Sequence, residues 1–396
     1  MNKRVRGDGK QDWKCELGIM TRKKLREGFT TGSAAAAGAK AALLFLSGRK
    51  RIKKVNIPLP VGGRLNIPVE SIEPSGGGAR ATIIKDAGDD PDVTHRAKIR
   101  ATVNFVQGNA GEDVLIAGGK GVGKVTRPGL PVPVGEPAIN PAPRRQIREA
   151  VREGLTEGGL TGTVSVMIDV VDGEKIAKRT LNPRLGIIGG ISILGTRGTV
   201  KPFSNEAYRE TITASMDVAK ADEINTIALS TGGKSEGFLK KQHSELPEYA
   251  FIQVADFFSF SLQEAVRRGF QDILYSCFFG KIIKMAQGNP YTHARESTID
   301  FDLLAQWCGE SGMKGEKALM IKGANTGREV REIIRGDIHG EGIFKDIVNR
   351  AVSSARTFAG PFPNITYYLF DFDGDLLATQ SDEGTTETIN QKTLGH

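Results

Sequence analysis

NTIALSTGGKSEGFLKKQHSELPEYAFIQVAD, residues Asn225 to Asp256, decides the fold class. An apolar run ends in Thr231-Gly232-Gly233, a helix-forming stretch from Ser235 to His243 follows, and a second apolar run, AFIQVAD, comes after it. Strand, glycine loop, helix and strand in that order make an α/β unit. The same rhythm surrounds it: RLGIIGG leads to a helix near Asn205 to Ala219, and a helix from Ser259 to Arg268 follows AFIQVAD. DILYSCFFG and KALMIKG supply two further strand candidates, and ITYYLFDFDGDLLAT reads as a hairpin turning at Asp373-Gly374. A Rossmann-like α/β domain with a mostly parallel sheet is therefore expected over residues 184–396, with its ligand crevice at the carboxyl ends of the strands.

Upstream the pattern differs. Ser33 to Leu46 is an alanine-rich helix preceded by Thr30-Thr31-Gly32, residues suited to capping its first amides. Short β-branched runs follow (KKVNIPLP, RLNIPVES, ARATIIKD, AKIRATVNFV), then a helix near Arg144 to Leu155 and two more strand-like runs, TVSVMIDVV and EKIAKRTL. This predicts an α+β domain over residues 25–183. Residues 1–24 read as a basic, flexible arm.

Composition excludes several classes. With 396 residues the chain holds two or three domains at about 150 residues each. Apolar residues at 39% and charged residues at 25% are ordinary globular usage, which argues against a disordered or coiled-coil chain. Glycine is in excess, 49 of 396 against a usual ~7%, and directs attention to the loops. Of the +8 net charge, nine Lys/Arg against four Asp/Glu in the first thirty residues supply +5, so the body carries little basic field for nucleic acid. No apolar run approaches the ~18 residues of a membrane span and no leader pattern follows the basic start, which predicts a cytoplasmic protein. Cys15, Cys277 and Cys308 are too few and too scattered for a disulfide framework or a zinc site.

Several motifs invite a reading. Gly118 to Lys124 (GGKGVGK) has the spacing of a phosphate loop, but Val125 stands at the magnesium-binding hydroxyl position and TRPGLPVP cannot open the helix such a loop needs. Asp371 to Leu376 (DFDGDL) imitates a phosphatase nucleophile motif with too little chain after it, so a hairpin turn is preferred. Asp86 to His95 (DAGDDPDVTH) crowds Asp86, Asp89, Asp90 and Asp92 beside His95; it reads as Asx-turn chemistry or a metal loop, with cations expected nearby. The stiff, proline-rich stretch from Gly118 to Arg145 presents Lys120, Lys124, Arg127, Arg144 and Arg145 against Glu136 alone, a surface suited to a ligand with several carboxylates or phosphates, or a domain connector. Asn289 to Arg295 (NPYTHAR) puts Thr292, His293 and Arg295 where the α/β crevice should open.

Together, LREGFTTGS (Leu25 to Ser33), DAGDDPDVTH, GKGVGKVTRPGLPVPVGEPAINPAPRR (Gly119 to Arg145), GGISILGTRG (Gly189 to Gly198) and GKIIKMAQGNPYTHAR (Gly280 to Arg295) resemble, in order, the characteristic segments of the cobalt-precorrin-5B C1-methyltransferase family of anaerobic cobalamin synthesis. The resemblance runs from about residue 25 to the end, and the proline-rich stretch is its most specific part. Two departures are visible: Ala34 where members often carry Cys, and Arg96 where they often carry Gly.

The resemblance implies transfer of a methyl group from S-adenosylmethionine to ring carbon C1 of a cobalt-containing corrinoid, with cobalt only as part of that substrate and no metal of the protein's own. Such a displacement is accelerated mainly by alignment and exclusion of water. On this implication Gly189, Gly190, Gly195, Thr231, Gly232, Gly233 and Asp256 are assigned to the donor, the glycine loops offering helix N-termini to its carboxylate and Asp256 an acceptor to its ribose. Lys120, Lys124, Arg127, Arg144 and Arg145 are assigned to the corrinoid rim, and Thr30, Thr31, Ser33, Thr292 and Arg295 to binding the same substrate. If a proton is lost, His293 ranks ahead of His95 as its acceptor. The expected partner is the corrinoid, with neither nucleic acid nor membrane, and the sequence leaves a homo-oligomer open. The rival classes are a basic nucleic-acid-binding protein, disfavoured by 7% aromatic content without basic-aromatic interleaving, and a phosphate-handling enzyme using the Gly118 or Asp371 loop.

Overall fold

A computed structural model describes residues 25–107 and 113–382. The basic arm and Cys15 lie outside the described residues. The chain is mixed α/β, built around two five-stranded sheets, each with its own hydrophobic core.

The first core forms on α1 (Thr31–Leu46), which Thr30 caps by accepting the Ser33 N–H at 3.2 Å. Its alanines are buried on every side, because it lies between the sheet and α2 (Pro141–Gly158). Contact with the sheet is close: a Cβ on Gly38 would sit 3.0 Å from that of Ala101. The sheet contains β1 (Ser71–Ser75), β2 (Gly78–Ile84), β3 (Lys98–Phe105), β4 (Val114–Gly118) and β5 (Val164–Val170), in the order β1-β2-β3-β5-β4. All its pairings are antiparallel except β5 with β4. Ala81 faces Ala101 and Ile83 faces Ile99, so the small and β-branched residues of alternate positions form one buried face. Lys54–Pro58 and Arg64–Pro68 pair as a separate hairpin. On α1, Lys40 is buried, and its amine donates to Glu153 at 2.8 Å, Glu157 at 2.5 Å and the Asn56 carbonyl at 2.9 Å.

EKIAKRTL is helical rather than a strand: α3 spans Gly173–Ala177. RLGIIGG also departs from expectation. Ile187–Ile188 pairs with Lys124–Val125 and Gly190–Ile191 with Gly121–Val122, so this segment belongs with the first core and not with the second sheet. Glycine is required here because a Cβ on Gly173 or Gly190 would stand 2.1 Å from the Gly121 carbonyl. No helix follows Gly118 to Lys124, in keeping with rejection of the phosphate-loop reading.

The second half follows the expected alternation: α4 (Asn205–Ala221), β6 (Thr226–Ser230), α5 (Gly233–Gln242), β7 (Phe251–Gln253), α6 (Phe258–Arg267), β8 (Asp272–Phe278) and α7 (Phe279–Ala286). α8 (Phe301–Glu310), α9 (Glu316–Lys322), α10 (Gly327–Arg335) and α11 (Gly340–Ala359) come next, and β9 (Asn364–Phe370) with β10 (Leu376–Asp382) close the sheet as the expected hairpin. Strand order is β7-β6-β8-β9-β10, parallel except at β9/β10. KALMIKG is α9, not a strand; its run is too short and too evenly flanked by lysines for periodicity to separate the two. Leu239 of α5 packs with Ala228, Leu274 and Phe370 on one sheet face. α6, α7 and α11 cover the other face against Ile227, Tyr275 and Tyr367, which explains why the central strands are apolar at nearly every position.

Candidate functional site

The carboxyl ends of β6, β7 and β8 gather Thr231, Gly232, Gly233, Asp256, Thr292 and His293 at one edge of the second sheet. The chain leaves β6 toward one neighbour and β8 lies on the other side, so the strand order turns between β6 and β8, the position where open α/β sheets form a crevice. Ser230, at the end of β6, and Ser276 of β8 form a buried hydroxyl pair at 2.8 Å just inside that edge. A Cβ on Gly232, just before α5, or on Gly280, in the first turn of α7, would meet nothing within 4 Å, so both helix starts present bare backbone to open space.

Asp256 follows β7, and its carboxylate is held by the Lys281 ammonium and, at 3.0 Å, by the Thr292 hydroxyl. Lys281 stands in the first turn of α7, so the ion pair spans the end of β6. Burial and the neighbouring Lys284 pull the Lys281 ammonium down to about 8, and the Asp256 carboxylate opposes that pull. Lys284 is lowered by burial; its amine donates to the Ser297 carbonyl at 2.7 Å. His293 stacks on Tyr291 with centroids 5.9 Å apart, and Tyr291 leans on Phe257, which Tyr208 also stacks against. Arg295 is exposed in the same loop.

The remaining assigned residues lie elsewhere. His95 borders a cavity of about 350 Å3 in the first half, lined also by Arg26, Phe29, Glu70, Lys85, Asp86 and Arg96. The cations expected beside the acidic loop are present: Arg26 grips Asp86 through both guanidinium nitrogens, and Lys85 meets Asp92 at 2.5 Å. Arg26 holds the Asp86 carboxyl below the usual range, and Lys85 does the same for Asp92 against the opposing effect of burial. Asp89 accepts the Arg26 N–H at 2.7 Å and Asp90 the Phe203 N–H at 2.9 Å, so all four carboxylates are answered from within the chain. Among the described residues no three His, Cys, Asp or Glu side chains stand together as a metal would require.

Both histidines accept a backbone N–H at Nδ1, His95 from Ala87 at 3.1 Å and His293 from Arg295 at 3.2 Å. A neutral ring so held carries its proton on Nε2, which then donates.

Thr30, Thr31 and Ser33 are buried, and their hydroxyls tie down the segment from Ser192 to Gly198: Thr31 Oγ1 accepts the Leu194 N–H at 2.9 Å and Ser33 Oγ donates to the Gly198 carbonyl at 2.7 Å. Gly195 lies against Thr30, where a Cβ would be 2.4 Å from its side chain. No helix starts after Gly189-Gly190; α4 begins only at Asn205, so that glycine pair offers no helix N-terminus to a ligand. Lys120, Lys124 and Arg145 are exposed. Arg144 turns inward, donating to the Ile139 carbonyl at 2.9 Å. Arg127 bridges the two halves, pairing with Asp222 at 2.7 Å and lying 4.1 Å over the Tyr249 ring. Arg184 and Glu236 form a second bridge, which sequence reasoning missed because neither residue falls in a motif.

The fold is mixed α/β, with loops converging at the carboxyl ends of parallel strands and a cavity bordered by His95 in its other half. The family described as CbiD matches residues 19–202, and the CbiD C-terminal domain matches residues 291–381. Proteins named cobalt-precorrin-5B C(1)-methyltransferase match over most of their length. The one from Nitratidesulfovibrio vulgaris is 46% identical across 90% of this chain and 93% of its own, and the one from Priestia megaterium 43% identical across 91% and 98%. A crystal structure of the cobalamin biosynthesis protein CbiD from Archaeoglobus fulgidus is 30% identical, covering 66% of this chain and 79% of that one, with a TM-score of 0.38. The chain belongs to the CbiD family.

Proposed function

We propose that this chain is an S-adenosylmethionine-dependent methyltransferase that methylates C1 of cobalt-precorrin-5B to give cobalt-precorrin-6A in anaerobic cobalamin synthesis. The observation that carries this is the 46% identity to a cobalt-precorrin-5B C(1)-methyltransferase across 93% of that protein. The reading includes two domains, the second Rossmann-like, with the boundary expected at residues 183/184 moved to near residue 202. The strand order β7-β6-β8-β9 and the pairing of residues 187–200 with the first core support it. It also includes a cytoplasmic location; among the described residues no helix is long and apolar enough to cross a membrane.

The donor's seat in this reading is the crevice beyond β6 and β8. Thr231, Gly232 and Gly233 suit it, because bare backbone there leaves room for a ligand's approach. Asp256 suits a ribose less freely, since Lys281 and Thr292 already engage its carboxylate through Oδ1. The donor would supply an electrophilic methyl group. The chain's own residues would hold the two reactants in line and keep water out, with the aromatic group Tyr208, Phe257 and Tyr291 as the apolar wall. Lys120, Lys124 and Arg145 would attract the anionic macrocycle.

Incubating the purified chain with cobalt-precorrin-5B and S-adenosylmethionine tests the proposal. Mass spectrometry should record a gain of one methyl group in the corrinoid together with S-adenosylhomocysteine. Absence of both products overturns it.

A further inference from the structure

Charge accounting in the His95 cavity leaves two groups unspent. Arg26 is committed to Asp86 and Lys85 to Asp92. The side chains of Arg96 and Glu70 form no hydrogen bond or ion pair among the described residues, although both residues line the cavity. His95 adds a third feature, because its Nδ1 accepts the Ala87 N–H and the neutral ring must then present Nε2 as a donor.

Arg96 is placed at a backbone cost. Its φ is +62°, the left-handed region that L side chains other than Asn and Asp seldom occupy. The conformation is imposed by a tight turn, in which the Arg96 N–H donates to the Lys85 carbonyl at 2.8 Å and the Ala97 N–H to the Thr94 carbonyl at 3.1 Å. Glycine would relieve the strain. A strained arginine whose side chain has no partner among the described residues, at a cavity of mixed apolar and charged lining and beside an N–H donor, is an arrangement for receiving an anion.

We infer that the cavity bordered by His95 and Arg96 is a carboxylate subsite, taking one acetate or propionate arm of the acceptor macrocycle. The identity of the ligand rests on the methyl-transfer reading; the carboxylate chemistry rests on the cavity. Arg96 forms charge-assisted bonds to the arm and His95 Nε2 donates a further one. Glu70 opposes binding and limits affinity. The α-carboxylate of the methyl donor has the same chemistry, so donor and acceptor must be tested separately.

The experiment is calorimetric titration of the full chain with cobyrinic acid, a cobalt corrin with free carboxylates, and separately with S-adenosylhomocysteine. Wild type, Arg96→Gly and Glu70→Gln are compared. Arg96→Gly keeps the fold, since glycine favours this φ, and its Tm should equal or exceed that of wild type. It should weaken cobyrinic acid about fivefold or more while leaving S-adenosylhomocysteine within about twofold. Glu70→Gln should leave cobyrinic acid unchanged or bind it more tightly. Unchanged cobyrinic acid affinity in Arg96→Gly overturns the subsite, as does wild type that binds no cobyrinic acid. A loss confined to S-adenosylhomocysteine reassigns the cavity to the donor, and weakening by Glu70→Gln marks a zwitterion site; either result also overturns it. Turnover by wild type with Arg96→Gly unaltered removes the subsite alone, whereas a wild type that neither turns over nor binds S-adenosylhomocysteine removes the methyl-transfer reading.

Discussion

Arg184 donates two hydrogen bonds to Glu236, at 2.9 and 2.6 Å, and so fastens a segment of the first half to the opening turn of α5. Glu236 is buried; burial raises its carboxyl, but Arg184 and Lys240 outweigh that and hold it below the usual range. Arg184→Ala leaves a buried carboxylate with Lys240 as its remaining close cation, a loss of about 2 kcal/mol or more. Urea unfolding should show a lower midpoint. Because α5 begins at Gly233, the KM for the donor should rise more than kcat falls. Destabilisation with both kinetic constants unchanged would make the pair purely structural.

Acid should weaken the first core through Glu153. Arg64 and then Lys40 draw its carboxyl down to about 2, against the opposing effect of burial. The unfolded value is about 4.3, so the unfolded chain binds more protons between the two. The contribution is complete above about pH 5 and is lost as pH falls toward 2. Glu153→Gln should flatten this part of the stability profile, measured by urea midpoints from pH 6 to pH 3. An acid limb as steep as that of wild type would count against the role.

His293→Ala should reduce kcat by less than about tenfold, since the ring's Nδ1 is occupied by the Arg295 N–H and its Nε2 carries the neutral ring's proton. General-base catalysis is worth about 10²–10⁴. A fall of that size would mean that the loop rearranges in the working complex and would return His293 to the proton-accepting role.

The cations of the proline-rich segment should separate into two kinds. Reversing the exposed Lys120, Lys124 and Arg145 to Glu together should raise the corrinoid KM about tenfold or more and leave the donor KM near wild type. Arg127→Ala should instead lower thermal stability by a few degrees, because it removes the contacts to Asp222 and Tyr249. Equal effects on both substrates from the triple reversal would defeat the rim assignment.

Much of the second sheet was legible because its central strands are apolar at nearly every position and β6 ends in a glycine loop, so NTIALSTGG and AFIQVAD carried the element type. RLGIIGG has the same local look, yet its partners are residues 121–125, a long-range pairing that no local pattern encodes. α11, twenty residues long, went unseen because glycine at both ends and a broad apolar face resemble a loop and a core run in turn. For the site, the sequence assigns Thr231 to Gly233 and Asp256 to the donor and Thr292 to the corrinoid, and the structure brings them to one edge because strand ends converge by topology. Lys281 was missed because its importance comes from the facing Asp256, twenty-five positions away. Arg127 is read from the cationic, proline-rich segment as a ligand contact or part of a domain connector, and the structure gives it Asp222.

Gly195 sits against Thr30, and the Leu194 and Gly198 carbonyls accept the N–H groups of Gly32 and Thr30. A fragment cut at residue 183 would discard those acceptors and uncover the start of α1. Anyone dividing the molecule into separately expressed pieces must therefore cut beyond Val200, where the last pairing with Gly28 ends. Upstream cuts would begin to unravel the alanine helix on which the first core is assembled.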